Sequence, residues 1–532
     1  MKKNILIVGV VLFTFLISQL SKAQNKMVNW GTAHSTISKF DEPTILGEVD
    51  QFVFTYTIAK NDRYINKYDK VSLALIYKKE IKLPLVDKLK GEIGSVRRLG
   101  NKVYVFAQYL NRKERFYYVY AFELDINTGV LKSDPKQLVK AEYEDRKASG
   151  LDYLLMVSED KTKIVFNYYA RHAKQKIFVD KYVLMGHNLN VITEKEEQNA
   201  LESMDYSSSD YIIDNEGSIY FLKRYKNGTT SIVSFDANKD YEKWEEQIDI
   251  AKNDREIKGI VNNVKFTISK ENNLVVSGFY SDGGDLKGVF YLKIDNFTKE
   301  TLVSKVTTFT QVQIDELHVH IGQTIKKKDK DKPKKLQNDF NNVSVLQKED
   351  GGTIMSGELY SYIITYDRQG GIQGEKKEYN GIVIVNLSKE GELIWAKGIV
   401  KKQYYGYSNF LFTFGSWGLG FFSWRPEIPD YFSYLDGFYN GKLFVFFNDN
   451  PSNHKANTKK MYTLKEPKKS CAALYSFDIN TGESIKTQIF NKKEYPFKIK
   501  PRVSYQASEN SNLYLYAQKG GKCRLGVIPQ VK

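Results

Sequence analysis

Two stretches of this sequence end in the same turn. Leu474-Tyr475-Ser476-Phe477 runs into Asp478-Ile479-Asn480-Thr481-Gly482, and Tyr120-Ala121-Phe122-Glu123-Leu124 runs into Asp125-Ile126-Asn127-Thr128-Gly129. An apolar, aromatic run of strand length before an Asp/Asn/Gly turn reads as a β-hairpin, because Asp and Asn bond the turn backbone and Gly takes the left-handed position. Degenerate copies recur along the chain. Segments 103–110 and 116–124 form one predicted hairpin, 163–170 and 177–185 the next. The third is 218–225 with 230–236 across Asn227-Gly228, a strong hairpin signal. The others are 273–280 with 288–295, 353–360 with 382–387, 442–448 with 472–477, and 513–518 with 523–528 across Gly520-Gly521.

The first four hairpins follow one another at about 55–60 residues and the rest are stretched by insertions, close to the periods of four-stranded repeat units. One four-stranded sheet cannot bury both faces alone. A ring of such sheets covers all of them and leaves short, protected edges. The expected fold is therefore all-β, a β-propeller of seven four-stranded blades. The last hairpin stops at Ile528 without an outermost strand. The early strands 51–59 and 71–84 are free to complete it, so N- and C-terminal strands are expected to share a blade. Helical periodicity is nearly absent, with 238–253 and 194–203 the best short candidates. Tyr (37) and Phe (31) are abundant, as suits pleated surfaces.

The first 23 residues read as a secretory signal: Lys2 and Lys3, an apolar core from Ile5 to Leu16 too short to span a bilayer comfortably, and a Ser21-Lys22-Ala23 cleavage site before Gln24. Residues 24–532 are expected to form a single propeller domain with insertions at about 322–342 and 404–430. No later stretch approaches 20 continuous apolar residues, so no transmembrane segment is expected in the mature chain. The expected location is the periplasm, peripheral to the outer membrane. Removing Lys2, Lys3 and Lys22 with the signal lowers the net charge from +16 to +13. An exported basic protein meets acidic protein surfaces, anionic lipid or glycan rather than nucleic acid. Cys471 and Cys523 open matching strands of the last two hairpins. A disulfide is permitted by an oxidising compartment, but matching points on neighbouring repeats diverge beyond bridging distance, and two separate buried thiols are the alternative.

The two insertions hold the candidate partner-binding residues. The first carries the lysine run Lys326, Lys327, Lys328, Lys330, Lys332, Lys334 and Lys335, with a charge density that favours a solvated loop or a docking arm for an acidic surface. The second holds Tyr404, Tyr405, Tyr407, Phe410, Phe412, Phe414, Trp417, Phe421, Phe422 and Trp424. Phe410, Phe412 and Phe414 alternate as in a strand, and Gly415, Gly418 and Gly420 interrupt the remainder. Such a segment is either an inner strand with a wide packed loop, or a lid or partner-binding patch.

Motifs for catalysis are missing. There is no Gly-x-Ser-x-Gly elbow, no P-loop and no Cys-x-x-Cys-His. His318 and His320 lie two apart on an apparent strand and would face one way, but Asp315 and Glu316 are the only acids nearby to add ligands. No metal, cofactor or catalytic residue is predicted. Paired carboxylates of the glycosidase kind are invisible without spatial information.

The strand-and-turn unit 474–482 resembles the repeat of pyrroloquinoline-quinone-type propellers, where a Tyr-containing strand meets an Asp-x-x-Thr-Gly turn, and 120–129 is similar. Gly391-Glu392-Leu393-Ile394-Trp395 resembles the Gly-x-x-x-Trp strand after that turn. The resemblance covers two repeats and fragments of others and implies the fold. That family's tryptophan at the end of most blades is matched only at Trp395. In size, charge and export signal the chain also resembles the plug subunit that closes the periplasmic mouth of type 9 secretion translocons. That resemblance implies a non-catalytic, protein-binding scaffold for an outer-membrane complex. Two other functions fit the sequence: a propeller enzyme acting on glycans, or a glycan- or peptide-binding protein of an uptake system. A funnel with converging Asp, Glu, Arg or His side chains would mark the enzyme.

Overall fold

A computed structural model describes residues 28–529 apart from internal stretches, the longest being 143–152, 250–259 and 322–334. The chain forms eight antiparallel sheets among the described residues, numbered here in chain order: sheet 1 (42–80), sheet 2 (91–142), sheet 3 (153–200), sheet 4 (206–247), sheet 5 (260–308), sheet 6 (340–423), sheet 7 (435–490) and sheet 8 (498–528, completed from the N-terminus). Most are simple meanders of four strands. The first strands of neighbouring sheets touch one another, as between Glu42–Val49 and both Gly91–Leu99 and Lys498–Gln506, so they line the ring axis.

The core is divided into wedges. Eight apolar clusters each join two neighbouring sheets, and the series closes on itself. Phe54 meets Phe122 between sheets 1 and 2. Tyr182 stacks on Phe221 at 6.1 Å between sheets 3 and 4, and Phe279 on Phe340 at 4.1 Å between sheets 5 and 6. Tyr68 and Tyr516 share the cluster joining sheets 8 and 1. A sheet with both faces apolar is stable only between two neighbours, and the unbroken series makes the fold a closed β-propeller.

All seven hairpins read from the sequence are present, as the second and third strands of sheets 2 to 8. The count nevertheless rises to eight. Strand Phe52–Ala59 builds sheet 1, pairing with Asp62–Asp69 rather than finishing the last blade. The third strand of sheet 1, Asp-Arg-Tyr-Ile-Asn-Lys-Tyr-Asp, lies between the two early strands read from the sequence and falls in neither. Its polar groups are nonetheless accommodated inside: Asn66 donates to Thr55 and Thr57 hydroxyls at 3.0 and 3.1 Å, and the Lys67 ammonium sits 3.6 Å from the Phe52 ring. The N-terminus does close the ring, with earlier residues than expected. Asn29–Trp30 and His34–Ser35 pair antiparallel with Lys522–Ile528. Trp30 lies flat on Gly526, where a Cβ would stand 2.5 Å from the ring. The His34 ring reaches Tyr68 Oη at 2.9 Å and Cys523 Sγ at 3.5 Å.

The repeated turn has a structural task. Asp125 Oδ1 accepts from Asn127 N at 2.8 Å, and Asp478 Oδ1 from Asn480 N and Thr481 N at 2.9 and 3.0 Å. Gly129 (φ 72°) and Gly482 (φ 70°) take the left-handed position. Each turn is a seat for the preceding sheet. Tyr77 lies on Gly129 and donates to Ile126 O at 3.1 Å; Trp395 lies on Gly482 and donates from Nε1 to Ile479 O at 2.8 Å. A third copy at Asp295 accepts from Phe297 N and Thr298 N, and Lys239 of sheet 4 donates to Phe297 O.

Other expectations are corrected. The described part of candidate helix 238–253 is a 3₁₀ turn Ala237–Lys239 followed by strand Glu242–Gln247, and of the candidate 194–203 the residues 194–200 lie in strand Val191–Ala200, with 201–203 outside the described residues. The α-helix among the described residues, α1 (Gln311–His320), lies where a strand was expected. Thr310 and Gln313 cap it reciprocally. The positions 318 and 320, two apart on a helix, stand about 200° apart around its axis and not on one face, and His318 is buried. Cys471 and Cys523 are separate buried thiols. Among the described residues no helix is long and apolar enough to cross a membrane.

Candidate functional site

Sheet 6 departs from the pattern. Its central strands, Thr353–Tyr366 and Ile372–Leu387, are 14 and 16 residues long and stay paired from Thr353/Leu387 to Tyr366/Ile372. A bulge between Glu358 and Tyr360 marks where the hairpin leaves the blade. Inside the blade its flanks are Phe340–Gln347 and Leu393–Ile399. Beyond it, Gln403–Thr413 takes over as neighbour of 374–379, and Leu419–Ser423 pairs with Gln403–Thr413. The result is a second small sheet, here called the arm, projecting from one blade.

The arm is rooted in a buried polar network. Lys401 and Glu358 form an ion pair with no exposed side-chain surface. Glu358 also accepts from Ser433 Oγ at 2.7 Å. Gln403 accepts from Ser433 N at 2.8 Å and donates to Asn448 O at 2.6 Å. Asn448 donates to Tyr431 O and Ile499 O, tying in sheet 8. Desolvation pulls the Lys401 ammonium below its usual range, against the pull of the Glu358 carboxylate. Above this network Tyr379 stacks on Phe432 at 5.9 Å, with Leu464, Tyr360 and Tyr405 packed around them. Arg502 reaches from sheet 8 to within 5.8 Å of the Tyr379 ring.

The expected partner-binding residues fall in three groups. Tyr404 and Tyr405 are half-buried arm residues: Tyr405 meets Phe432 edge-on at 6.1 Å, and Tyr404 faces the ammoniums of Lys376 and Lys465 at 5.7 and 6.0 Å. Tyr407, Phe421 and Phe422 lie on arm strands, Phe421 opposite Leu411 and Phe422 opposite Phe410, with side chains outside the described residues. Trp417, Trp424, Lys326, Lys327, Lys328 and Lys334 also lie outside them. Lys335 pairs with Asp285 on sheet 5. The aromatic residues and the lysine run are thus not brought into one described site. Strand Thr353–Tyr366 continues past the expected end at Tyr360, through Ser361-Tyr362-Ile363-Ile364-Thr365-Tyr366, a run of strand-forming residues.

A cavity of about 800 Å³ opens between the inner strands of sheets 3, 4 and 5, lined in part by Met156, Tyr211, Ile213 and Thr267. Two of its four acidic residues, Asp214 and Asp210, are occupied. Asp214 accepts from Gly217 N, Ser218 N and Tyr220 Oη at 2.7, 2.7 and 2.9 Å, and Asp210 is paired with Lys265 and Arg224. Burial raises the Asp214 carboxyl above its usual range. These groups brace the inner strands. The cysteines are equally subdued: burial pushes the Cys523 thiol up to about 11 and Cys471 to about 12, opposite to the shift an attacking thiolate needs.

No protein-family model matches the chain, and no curated protein matches it. Solved structures with a similar course include the Dos1 propeller, at 9% identity and a TM-score of 0.43 over 96% of this chain and 97% of its own. Prolyl oligopeptidase B from Galerina marginata aligns at 9% identity and a TM-score of 0.37 over 92% of this chain and 56% of its own. Polysaccharide lyase Uly1 aligns at 12% identity and a TM-score of 0.37 over 94% and 100%. The assignment of this chain as a β-propeller rests on its own eight sheets and the closed series of wedges between them.

Proposed function

We propose that this protein is a non-catalytic, exported β-propeller that binds an outer-membrane protein complex from the periplasmic side, with the arm of sheet 6 as its docking element. The arm carries the reading. Among the described residues it is the one place where central strands run far past their blade, and Tyr362, Ile363 and Tyr366 on it are 45%, 44% and 59% exposed. Contiguous exposed aromatic and β-branched residues favour a protein partner. The net charge, +13 once Lys2, Lys3 and Lys22 leave with the signal, favours an acidic partner surface. In its most specific form, following the plug-subunit resemblance, the partner is a type 9 secretion translocon whose periplasmic mouth this ring closes.

The test is an affinity pull-down of the tagged protein from detergent-solubilised envelopes, run beside a variant with 361–378 replaced by an Asn-Gly turn and 404–430 by a Gly-Ser linker. A stoichiometric outer-membrane barrel held by the full chain and lost from the variant supports the proposal. A partnerless full chain refutes it. The translocon form requires in addition that a deletion strain leak through the translocon.

A further inference from the structure

A run of hydroxyls crosses the joint between sheets 6 and 7, beside the root of the arm. Asp436 Oδ2 lies 2.5 Å from Ser356 Oγ, Ser356 Oγ lies 2.7 Å from Tyr434 Oη, and Tyr434 Oη lies 2.7 Å from Asn342 O. Asn342 and Ser356 belong to the first two strands of sheet 6, Asp436 to the first strand of sheet 7, and Tyr434 stands just before that strand. Asn342 Nδ2 returns a bond to Tyr434 O at 3.3 Å, so the joint is tied in both directions.

Counting protons along this run assigns one to the carboxyl. Three hydrogen-bonded contacts need three protons, and a hydroxyl supplies one. A carbonyl only accepts, so Tyr434 gives its proton to Asn342 O. Ser356 must then give its own to Tyr434 Oη. The contact between Asp436 and Ser356 is left without a donor unless the carboxyl carries a proton. Were Asp436 ionised, Ser356 would turn its proton to the carboxylate, and two lone pairs would face each other at 2.7 Å between Ser356 and Tyr434. Asp436 has no ion-pair partner among the described residues. The titratable groups that face the run are Tyr434 within it and Glu358, whose charge Lys401 already matches. Burial raises the Asp436 carboxyl above its usual range, and bonds from Ser356 and Ser344 offset this only in part.

We propose that Asp436 holds its proton in the folded chain above the pH at which a solvated aspartate loses it, and that this proton latches sheet 6 to sheet 7. Neutral, the acid heads a cooperative run of donors and acceptors. Ionised, it takes the Ser356 proton and uncouples Ser356 from Tyr434. The latch holds strained backbone: Asn342 (φ 50°) and Ser433 (φ 72°), on either side of the joint, are both left-handed. Ser433 also donates to Glu358 in the root of the arm, so freeing Tyr434 loosens the residue next to that network. The inference does not depend on what the arm binds.

Asp436→Asn tests it, because the amide donates to Ser356 as the neutral acid does and cannot ionise. With its folded value raised, the wild type loses stability as pH rises from 3.8 through that value, and the variant does not. The urea midpoint of the variant is therefore expected to gain on wild type as pH rises from 4 towards the folded value, and to keep that lead above it. Infrared difference spectra at pH 5 are expected to show the carbonyl stretch of a protonated carboxyl in the wild type that the variant lacks. Amide exchange at 433–436, corrected for its intrinsic pH dependence, should quicken with pH in the wild type and stay constant in the variant. A lead that is constant or shrinks between pH 4 and 8, or an unchanged infrared band, overturns the proposal. Exchange at 433–436 that ignores pH in the wild type overturns the latch. Should the Asn variant fold poorly, Tyr434→Phe takes its place. It frees the Ser356 proton for an ionised Asp436, so the band should vanish at a lower pH than in the wild type, and an unchanged pH refutes the proton count.

Discussion

Replacing Lys401 by Met tests whether the ion pair at the root of the arm is held by mutual need. Lys401 and Glu358 are both fully buried. Met preserves most of the lysine stem but leaves Glu358 with the Ser433 hydroxyl at 2.7 Å as its remaining described partner. Stranding one member of a buried pair costs about 3–5 kcal/mol, whereas replacing both with uncharged groups of similar volume is about neutral. Lys401→Met alone should therefore lose about 3–5 kcal/mol, and Glu358→Gln alone a comparable amount. The double variant, in which Gln still accepts from Ser433, should return to within about 1 kcal/mol of wild type. The coupling in the double-mutant cycle would be several kcal/mol, well above the few tenths expected for independent sites. Urea unfolding monitored by near-ultraviolet circular dichroism measures the global term. Amide exchange at 403–405 reports the arm root directly. A double variant as unstable as Lys401→Met would refute the reasoning, because the damage would then come from lost packing and not from an uncompensated charge.

Other perturbations have equally definite outcomes. Trp395→Ala should cost about 3–5 kcal/mol in urea unfolding, since the indole is buried, stacks on Phe477 and covers Gly482. Gly482→Ala should cost more than about 1 kcal/mol, from a left-handed φ of 70° and a Cβ 2.8 Å from that indole. His34 is held below its ordinary 6.5 chiefly by burial, so the folded chain takes its proton less readily than the unfolded chain. Its share of stability is complete above pH 6.5 and declines as pH falls from there towards the lowered folded value, and His34→Gln should flatten that slope in melts between pH 7.5 and 5. Both thiols should resist Ellman's reagent at pH 8 until the chain is unfolded, after which two react.

The sequence made the hairpins visible where apolar alternation and turn chemistry agreed, as at Asn227-Gly228 and Asp478–Gly482. Asp62–Asp69 was hidden because its interior residues are Asn, Lys and Tyr, stabilised by cross-strand hydroxyls and an aromatic face that only pairing reveals. The closing strands are two residues each, too short for any period to register. Helix α1 did announce itself: Thr310-Gln311-Val312-Gln313 has capping-box spacing, outweighed by an apparent strand alternation at His318 and His320. At the arm, the aromatic wealth of 404–424 was legible. The extension of Thr353–Tyr366 beyond its blade was not, since a strand that outruns its sheet differs from one that stays within it only in what stands beside it. The Glu358–Lys401 pair joins residues 43 apart that no local pattern connects.

The seam between Asn29–Ser35 and Lys522–Ile528 gives the chain an order of assembly. Its contacts join residues 489 positions apart, such as His34 and Cys523. A chain emerging from a ribosome or a translocation channel with its N-terminus leading carries this strap, idle, until Lys522–Ile528 has appeared. Each sheet formed meanwhile shortens the effective gap between the ends, so the entropy of closing so long a loop is absorbed by the blades rather than by the strap's few bonds. Until the final strand arrives, sheet 8 lacks an outer edge and the wedge between sheets 8 and 1 stays open. Closure of the ring thus waits on Lys522–Ile528, and a chain lacking that strand would remain open at this wedge, with Tyr68, Leu73 and Tyr514 uncovered.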